Sequence, residues 1–274
     1  MLSNKNMALA LEENARRRGG HPAIIEGERT ITYRELDDHV RRIAGHLGDQ
    51  GVGEGDIVGV CLRDCADHLM ILYAVARLGA VILPLDWRWT EPEKLNVAQF
   101  FGVALVIAEP AASLAGVPSI EMDAAWQAAI AARRPDSPCA EGGARPVVLS
   151  LSSGTTGRPK GPALSHDQFI ARFVMQWVTL GFNPHDRYLS ATPLYFGGGR
   201  SFTMGSLFSG GTVIMFPPPY EPTELIEAAR KFEATTLLLV PTLLRQLLAL
   251  PGAGAPLLGG LSRLMSTGAI LHPD

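Results

Sequence analysis

The sequence predicts an α/β fold, with parallel sheets flanked by helices in two lobes. Short apolar runs alternate with segments of helical period along the chain, the pattern left by parallel strands joined through covering helices. Capping spacings of the Ser/Thr-x-x-Glu/Gln type stand where the period changes, and 29 Gly with 20 Pro punctuate many short elements.

Taken in order, Thr32-Tyr33-Arg34-Glu35 has capping-box spacing, after which Leu36, Val40, Ile43, Ala44 and Leu47 recur on one helical face until Gly51. A β-rich run, Ile57 to Cys61, precedes a helix through His68 to Leu78 that Gly79 stops; Val81 to Pro84 is the next strand. Thr90 and Glu93 box a further helix, which leads to the apolar strand Ala104 to Ala108. This βαβαβ order implies right-handed crossovers and a parallel sheet. Arg133 to Arg145 holds Pro, Gly and charge without periodicity. Residues 135–145 are therefore expected to link a first lobe, 1–134, to a second, 146–274. The second series runs strand Pro146 to Leu151, a Gly-rich loop, helix His166 to Thr179, strand Tyr188 to Ala191, and a Gly-rich turn with helix. Strand Thr212 to Met215, a helix from Thr223, strand Thr235 to Val240, a helix to Leu250 and strand Arg263 to Ser266 complete it.

Composition removes several function classes. With 24 Lys+Arg against 27 Asp+Glu, the chain lacks the positive excess that neutralises nucleic-acid phosphates. No apolar run reaches the ~18–20 residues of a membrane span. Cys61, Cys65 and Cys139 form an odd set without paired spacing, so neither a disulfide framework nor a zinc site is expected, and a cytoplasmic location is. No residue is assigned as a metal ligand.

The segment Leu149 to His166 carries the chemistry. An apolar run delivers the chain into Ser152-Ser153-Gly154-Thr155-Thr156-Gly157, and Lys160 follows. Glycines permit close backbone approach, hydroxyl and amide groups donate, and one ammonium adds charge, a set suited to polyphosphate oxygens. It is not a Walker A loop, because Pro159 stands five residues after Gly154 and Gly161 follows the lysine. A bare Gly/Ser/Thr stretch also reads as a surface loop; the ordered run of hydroxyls and glycines closing on Pro-Lys-Gly favours the phosphate reading. Ser165 and Gln168 have capping-box spacing for the next helix, and His166 at its start is expected to be structural.

That run resembles the signature of the adenylate-forming (AMP-binding) superfamily, which includes acyl-CoA and aryl-CoA synthetases. The resemblance extends over ITYRELDDHVRRIAGHL, ARLGAVILPLDWRWTEPEKL, ATPLYFGGG, LFSGGTVIM and TTLLLVPTLLRQLL, in the family's order, from about Ile31 onward. It implies that Ser152 to Gly157 with Lys160 hold the β- and γ-phosphates of ATP, that Thr156 and Lys160 are catalytic, that Mg²⁺ accompanies ATP, and that coenzyme A is the co-substrate. The reaction implied is acyl-adenylate formation, then thioester synthesis.

By the same resemblance, Ala191 to Phe202 lines the acid pocket through Tyr195, Phe196, Gly197 and Gly198, and Gly268 with Ala269 borders it. Core packing is the other reading of Tyr195 and Phe196. Phe196 stands where many relatives carry His, and Thr267 where relatives carry Gly. Between Pro193 and Phe208 there is no acidic residue, so an amino acid's ammonium lacks a partner and a simple acyl or aryl carboxylic acid is expected. Arg200 is read as solvated or structural ahead of a partner for an acidic substrate group, and Trp87 and Trp89 as packing residues. Only the first half of the family's elements is found, without the adenine-stacking segment or the lid. The chain is thus expected to be a truncated N-terminal portion of that fold, incompetent alone, with uncovered apolar surface favouring self-association. A non-catalytic nucleotide-binding or interaction remnant, a phosphotransferase and a structural protein are the alternatives.

Overall fold

The computed structural model describes residues 5–151, 159–250 and 259–270. In chain order its elements begin with α1 (Leu9–Arg18), β1 (Pro22–Glu26), β2 (Arg29–Thr32), α2 (Tyr33–Asp49), β3 (Ile57–Cys61), α3 (Ala66–Arg77) and β4 (Val81–Pro84). There follow α4 (Glu91–Phe101), β5 (Leu105–Ala108), β6 (Ser119–Glu121), α5 (Ala124–Ala132), β7 (Pro146–Leu149), β8 (Ala163–Ser165) and α6 (His166–Leu180). The last are β9 (Arg187–Ser190), α7 (Gly197–Phe208), β10 (Thr212–Met215), α8 (Pro222–Lys231), β11 (Thr236–Leu239), α9 (Pro241–Leu248) and β12 (Arg263–Ser266).

Two sheets carry these strands. One has the order β6-β5-β3-β4-β7-β8, the other β12-β11-β9-β10-β1-β2. Neighbours are parallel except at one edge of each sheet, where β8 runs antiparallel to β7 and β2 antiparallel to β1. Strands β4, β5, β10 and β11 are buried at every residue, as unbroken Val/Ile/Leu runs require when both faces of a parallel sheet are covered.

The expected lobe boundary is corrected. One compact unit comprises Met1–Gly20, Tyr33–Arg63 and Asp67–Arg172; the other comprises His21–Thr32, Asp64–Ala66 and Phe173–Asp274. Pro146–Leu149 belongs to the first sheet, where Val148 pairs with Ile82, and β1 joins the second through Ile24 opposite Val213. The Pro/Gly-rich stretch 135–145 is no free linker either. The buried Arg77 donates Nε to Ser137 O at 2.9 Å, and its own carbonyl accepts from Ala140 N at 2.8 Å. Each is a satisfied backbone group, which is what lets an irregular segment lie against a core. Trp87 and Trp89 pack, half-buried, on the apolar cluster of the first sheet, as expected.

Candidate functional site

The two flanks of the predicted phosphate loop form an antiparallel neck in the first unit. Leu149 pairs with Ala163, and Ser150 N donates to Pro162 O at 3.0 Å. Ser152, Ser153, Gly154, Thr155, Thr156 and Gly157 lie outside the described residues; Lys160 is described and exposed. Pro162 has no N–H to return that bond to Ser150, so this end of the β7–β8 ladder is held by one hydrogen bond where another residue would give two. Gly161 lies in close contact: a Cβ there would stand 3.0 Å from Phe101 Cζ and 3.2 Å from Leu151 Cδ2, so those side chains would have to give by a few tenths of an ångström.

The capping box at the next helix is reciprocal. Ser165 N donates to Gln168 Oε1 at 2.8 Å and Gln168 N to Ser165 Oγ at 3.2 Å. His166 is fully buried and its Nδ1 accepts from Met7 N at 3.2 Å; burial pushes its pKa down to about 4, so the ring is neutral and structural at pH 7.

The predicted acid-pocket residues gather in the second unit. Strand β9 feeds α7 and then β10 on one side, whereas β10 returns through α8 to β11 on the other side of β9. The chain therefore diverges at the carboxyl ends of β9 and β11, the place where open parallel sheets hold ligands. Residues 191–198 leave β9 there. Thr192 Oγ1 donates to Leu238 O at 3.2 Å, and Thr267 N donates to Leu239 O at 3.3 Å, bringing the Ser266–Gly268 turn alongside. A Cβ on Gly198 would meet Thr267 Cγ2 at 3.7 Å and one on Gly268 would meet Val240 Cγ1 at 3.6 Å, so the two Gly-bearing segments face each other across ordinary contact distance. Gly268 holds φ +94°, which excludes most side chains. The rings of Tyr195 and Phe196 lie 4.5 Å apart between centroids, tilted by 39°, and Phe196 is 54% exposed, so core packing does not account for it. Gly197 and Gly198 open α7 half-buried, while Gly268 and Ala269 are exposed.

What sequence reasoning missed is the support beneath this loop. Asp64, from a distant segment, accepts from Leu194 N at 2.9 Å. Arg200, 1% exposed, donates Nη1 to Leu194 O at 3.0 Å and to Tyr195 O at 3.2 Å. Tyr220, whose burial pushes its pKa up to about 12, donates its hydroxyl to Ala191 O at 2.7 Å. No local pattern announces a side chain that serves remote backbone.

Among the described residues no group of three or more His, Cys, Asp and Glu converges to hold a metal ion, and no helix is long and apolar enough to cross a membrane.

The two mostly parallel sheets flanked by helices, with a Gly-rich, aromatic segment at a strand divergence, define an open-sheet α/β protein. The chain belongs to the AMP-binding enzyme family, whose model matches residues 11–274. It is 30% identical over 251 residues to the fatty acid--[acyl-carrier-protein] ligase ScoC of Streptomyces coeruleorubidus, covering 85% of this chain and 48% of that protein. It is 31% identical to a feruloyl-CoA synthase of Amycolatopsis sp, covering 92% of this chain and 52% of the relative. The crystal structure of ATP-bound MatB from Rhodopseudomonas palustris superposes with a TM-score of 0.87 at 25% identity, over 98% of this chain and 56% of that one. The chain thus spans about half the length of these relatives.

Proposed function

We propose that the polypeptide carrying this chain activates a carboxylic acid with ATP and passes the acyl group to a thiol such as that of coenzyme A. The observation that supports this most is the aromatic, acid-free loop at the β9/β11 divergence, in a chain of the AMP-binding enzyme family. In this reading Ser152 to Gly157 and Lys160 hold the β- and γ-phosphates. Their donor set fits a polyphosphate, and the neck from Ser150 to Pro162 fixes where the loop starts and ends. Mg²⁺ carried by the nucleotide would supply charge neutralisation at the phosphates. A substrate carboxylate oxygen attacks the α-phosphorus, the bond to the β-bridging oxygen breaks, and pyrophosphate leaves with that electron pair. Thr156 and Lys160 stabilise the charge that moves onto the leaving group.

Tyr195, Phe196, Gly197, Gly198, Gly268 and Ala269 receive the acid's apolar part. Asp64 reaches the same segment, but its Oδ2 is engaged by a backbone amide, and no acidic side chain lies in residues 193–208. A substrate ammonium would find no acidic partner within that stretch, so the reading is a fatty or aryl acid, not an amino acid. The odd set of three cysteines without paired spacing supports a reducing, cytoplasmic setting.

The test is incorporation of labelled pyrophosphate into ATP by the native polypeptide, with ferulate, indole-3-acetate and hexanoate offered in turn. Acid-dependent exchange is expected with at least one acid, and Lys160→Ala should lower it at least about 100-fold. ATP binding without exchange would favour a non-catalytic nucleotide-binding role, and ADP release would favour a phosphotransferase.

A further inference from the structure

We infer that Arg200 and Asp64 are positioning residues for acid recognition, clamping the two sides of Leu194 and thereby setting the directions of Tyr195 and Phe196. The inference rests on the pocket reading above and assigns how that pocket is held.

The segment between β9 and α7 belongs to no strand or helix, so the backbone groups its own Phe196 N to Pro193 O bond leaves over need partners from other residues. Asp64 Oδ2 takes the N–H of Leu194 at 2.9 Å, and Arg200 Nη1 takes the carbonyl of the same residue at 3.0 Å and that of Tyr195 at 3.2 Å. Opposite charges thus meet opposite ends of one residue's backbone, and each bond has an ionised partner, which strengthens it relative to a neutral pair. Arg200 sits on the first turn of α7, its own N–H donating to Phe196 O at 3.0 Å, so the helix start and the loop before it are tied into one body. Behind this body Gly199 touches the carbonyls of Thr192 and Pro193; a Cβ there would fall 2.2 Å from Pro193 O. The loop cannot slide toward the helix, and Arg200 with Asp64 keeps it from moving away. An arginine buried to 1% exposure, serving carbonyls five and six residues upstream, is also spent: it is not free to meet an acidic group on the substrate. A ring on a rigid backbone discriminates between acids; one on a loose loop does not.

The experiment compares wild type, Arg200→Met, Arg200→Lys, Asp64→Asn, Tyr195→Ala and Phe196→Ala. Each is titrated calorimetrically with ferulate, indole-3-acetate and hexanoate, and amide exchange over residues 191–199 is followed by mass spectrometry with β10 and β11 as folding controls. The inference expects Arg200→Met and Asp64→Asn to speed exchange over 191–199 at least tenfold, with β10 and β11 unchanged, and to weaken the best acid at least tenfold. Arg200→Lys, which keeps the charge but not the reach of the fork, should fall between. If Tyr195→Ala and Phe196→Ala weaken the acid while Arg200→Lys, Arg200→Met and Asp64→Asn do not, the positioning role is overturned and the pocket stands. If the acid binds and neither ring variant changes its affinity, or no acid binds, the pocket reading fails and the inference with it.

Discussion

Gly198 and Gly199 are adjacent and look alike in the sequence, yet the structure asks different things of them. A methyl on Gly199 collides with two backbone carbonyls, at 2.2 and 2.5 Å, whereas one on Gly198 meets only a threonine methyl at 3.7 Å. Gly199→Ala should therefore destabilise by about 3 kcal/mol, and Gly198→Ala should be neutral or stabilising by about 0.5 kcal/mol, as read from denaturant midpoints. His166 gives a second test. Burial lowers its pKa from 6.5 to about 4; of the nearby charges Asp167 opposes that shift and Arg145 adds to it. The unfolded chain therefore binds the proton more readily. The stabilisation is complete above about pH 6.5, declines as pH falls, and is lost below about pH 4, a total of roughly 3 kcal/mol. Unfolding free energies from pH 7.5 to 4.5 should show this slope, and His166→Gln should flatten it.

At the scale of elements, the reciprocal box of Ser165 and Gln168 holds the start of α6 directly after β8. Ser165→Ala should cost about 1 kcal/mol and speed amide exchange in the first turn of α6. This box, that of Thr90 with Glu93, and the apolar strands β3, β4, β5, β10 and β11 were legible because each is a local pattern. The β1–β2 hairpin was legible too and was overlooked. Gly27, at φ +59°, begins a two-residue loop between Glu26 and Arg29, the Gly-X signal of a tight hairpin. Strands β6 and β8, three residues each, are too short to leave a period, and α1 and α5 fell outside the pattern followed.

For the whole molecule, partnership between distant segments decides the architecture, and no local pattern records it. Strand β1 completes the second sheet, with Thr212 Oγ1 donating to Pro22 O at 2.8 Å across 190 residues of chain. Ile24 is fully buried in that sheet, so Ile24→Ala should cost about 2–4 kcal/mol and speed amide exchange in β10 while leaving β3 protected. The same remoteness hid Asp64 beneath residues 191–198, whereas Tyr195, Phe196 and Gly198, the proposed pocket residues, stand together in one local run of the sequence.

The proposed seat of the acid is the carboxyl ends of β9 and β11. The most direct test is to irradiate the chain with a diazirine-bearing aryl carboxylic acid and map the adducts by mass spectrometry. Adducts within residues 191–199 and 265–270, suppressed by excess ferulate, are predicted. Adducts confined to other segments, or unaffected by ferulate and by every other acid tested, would contradict it.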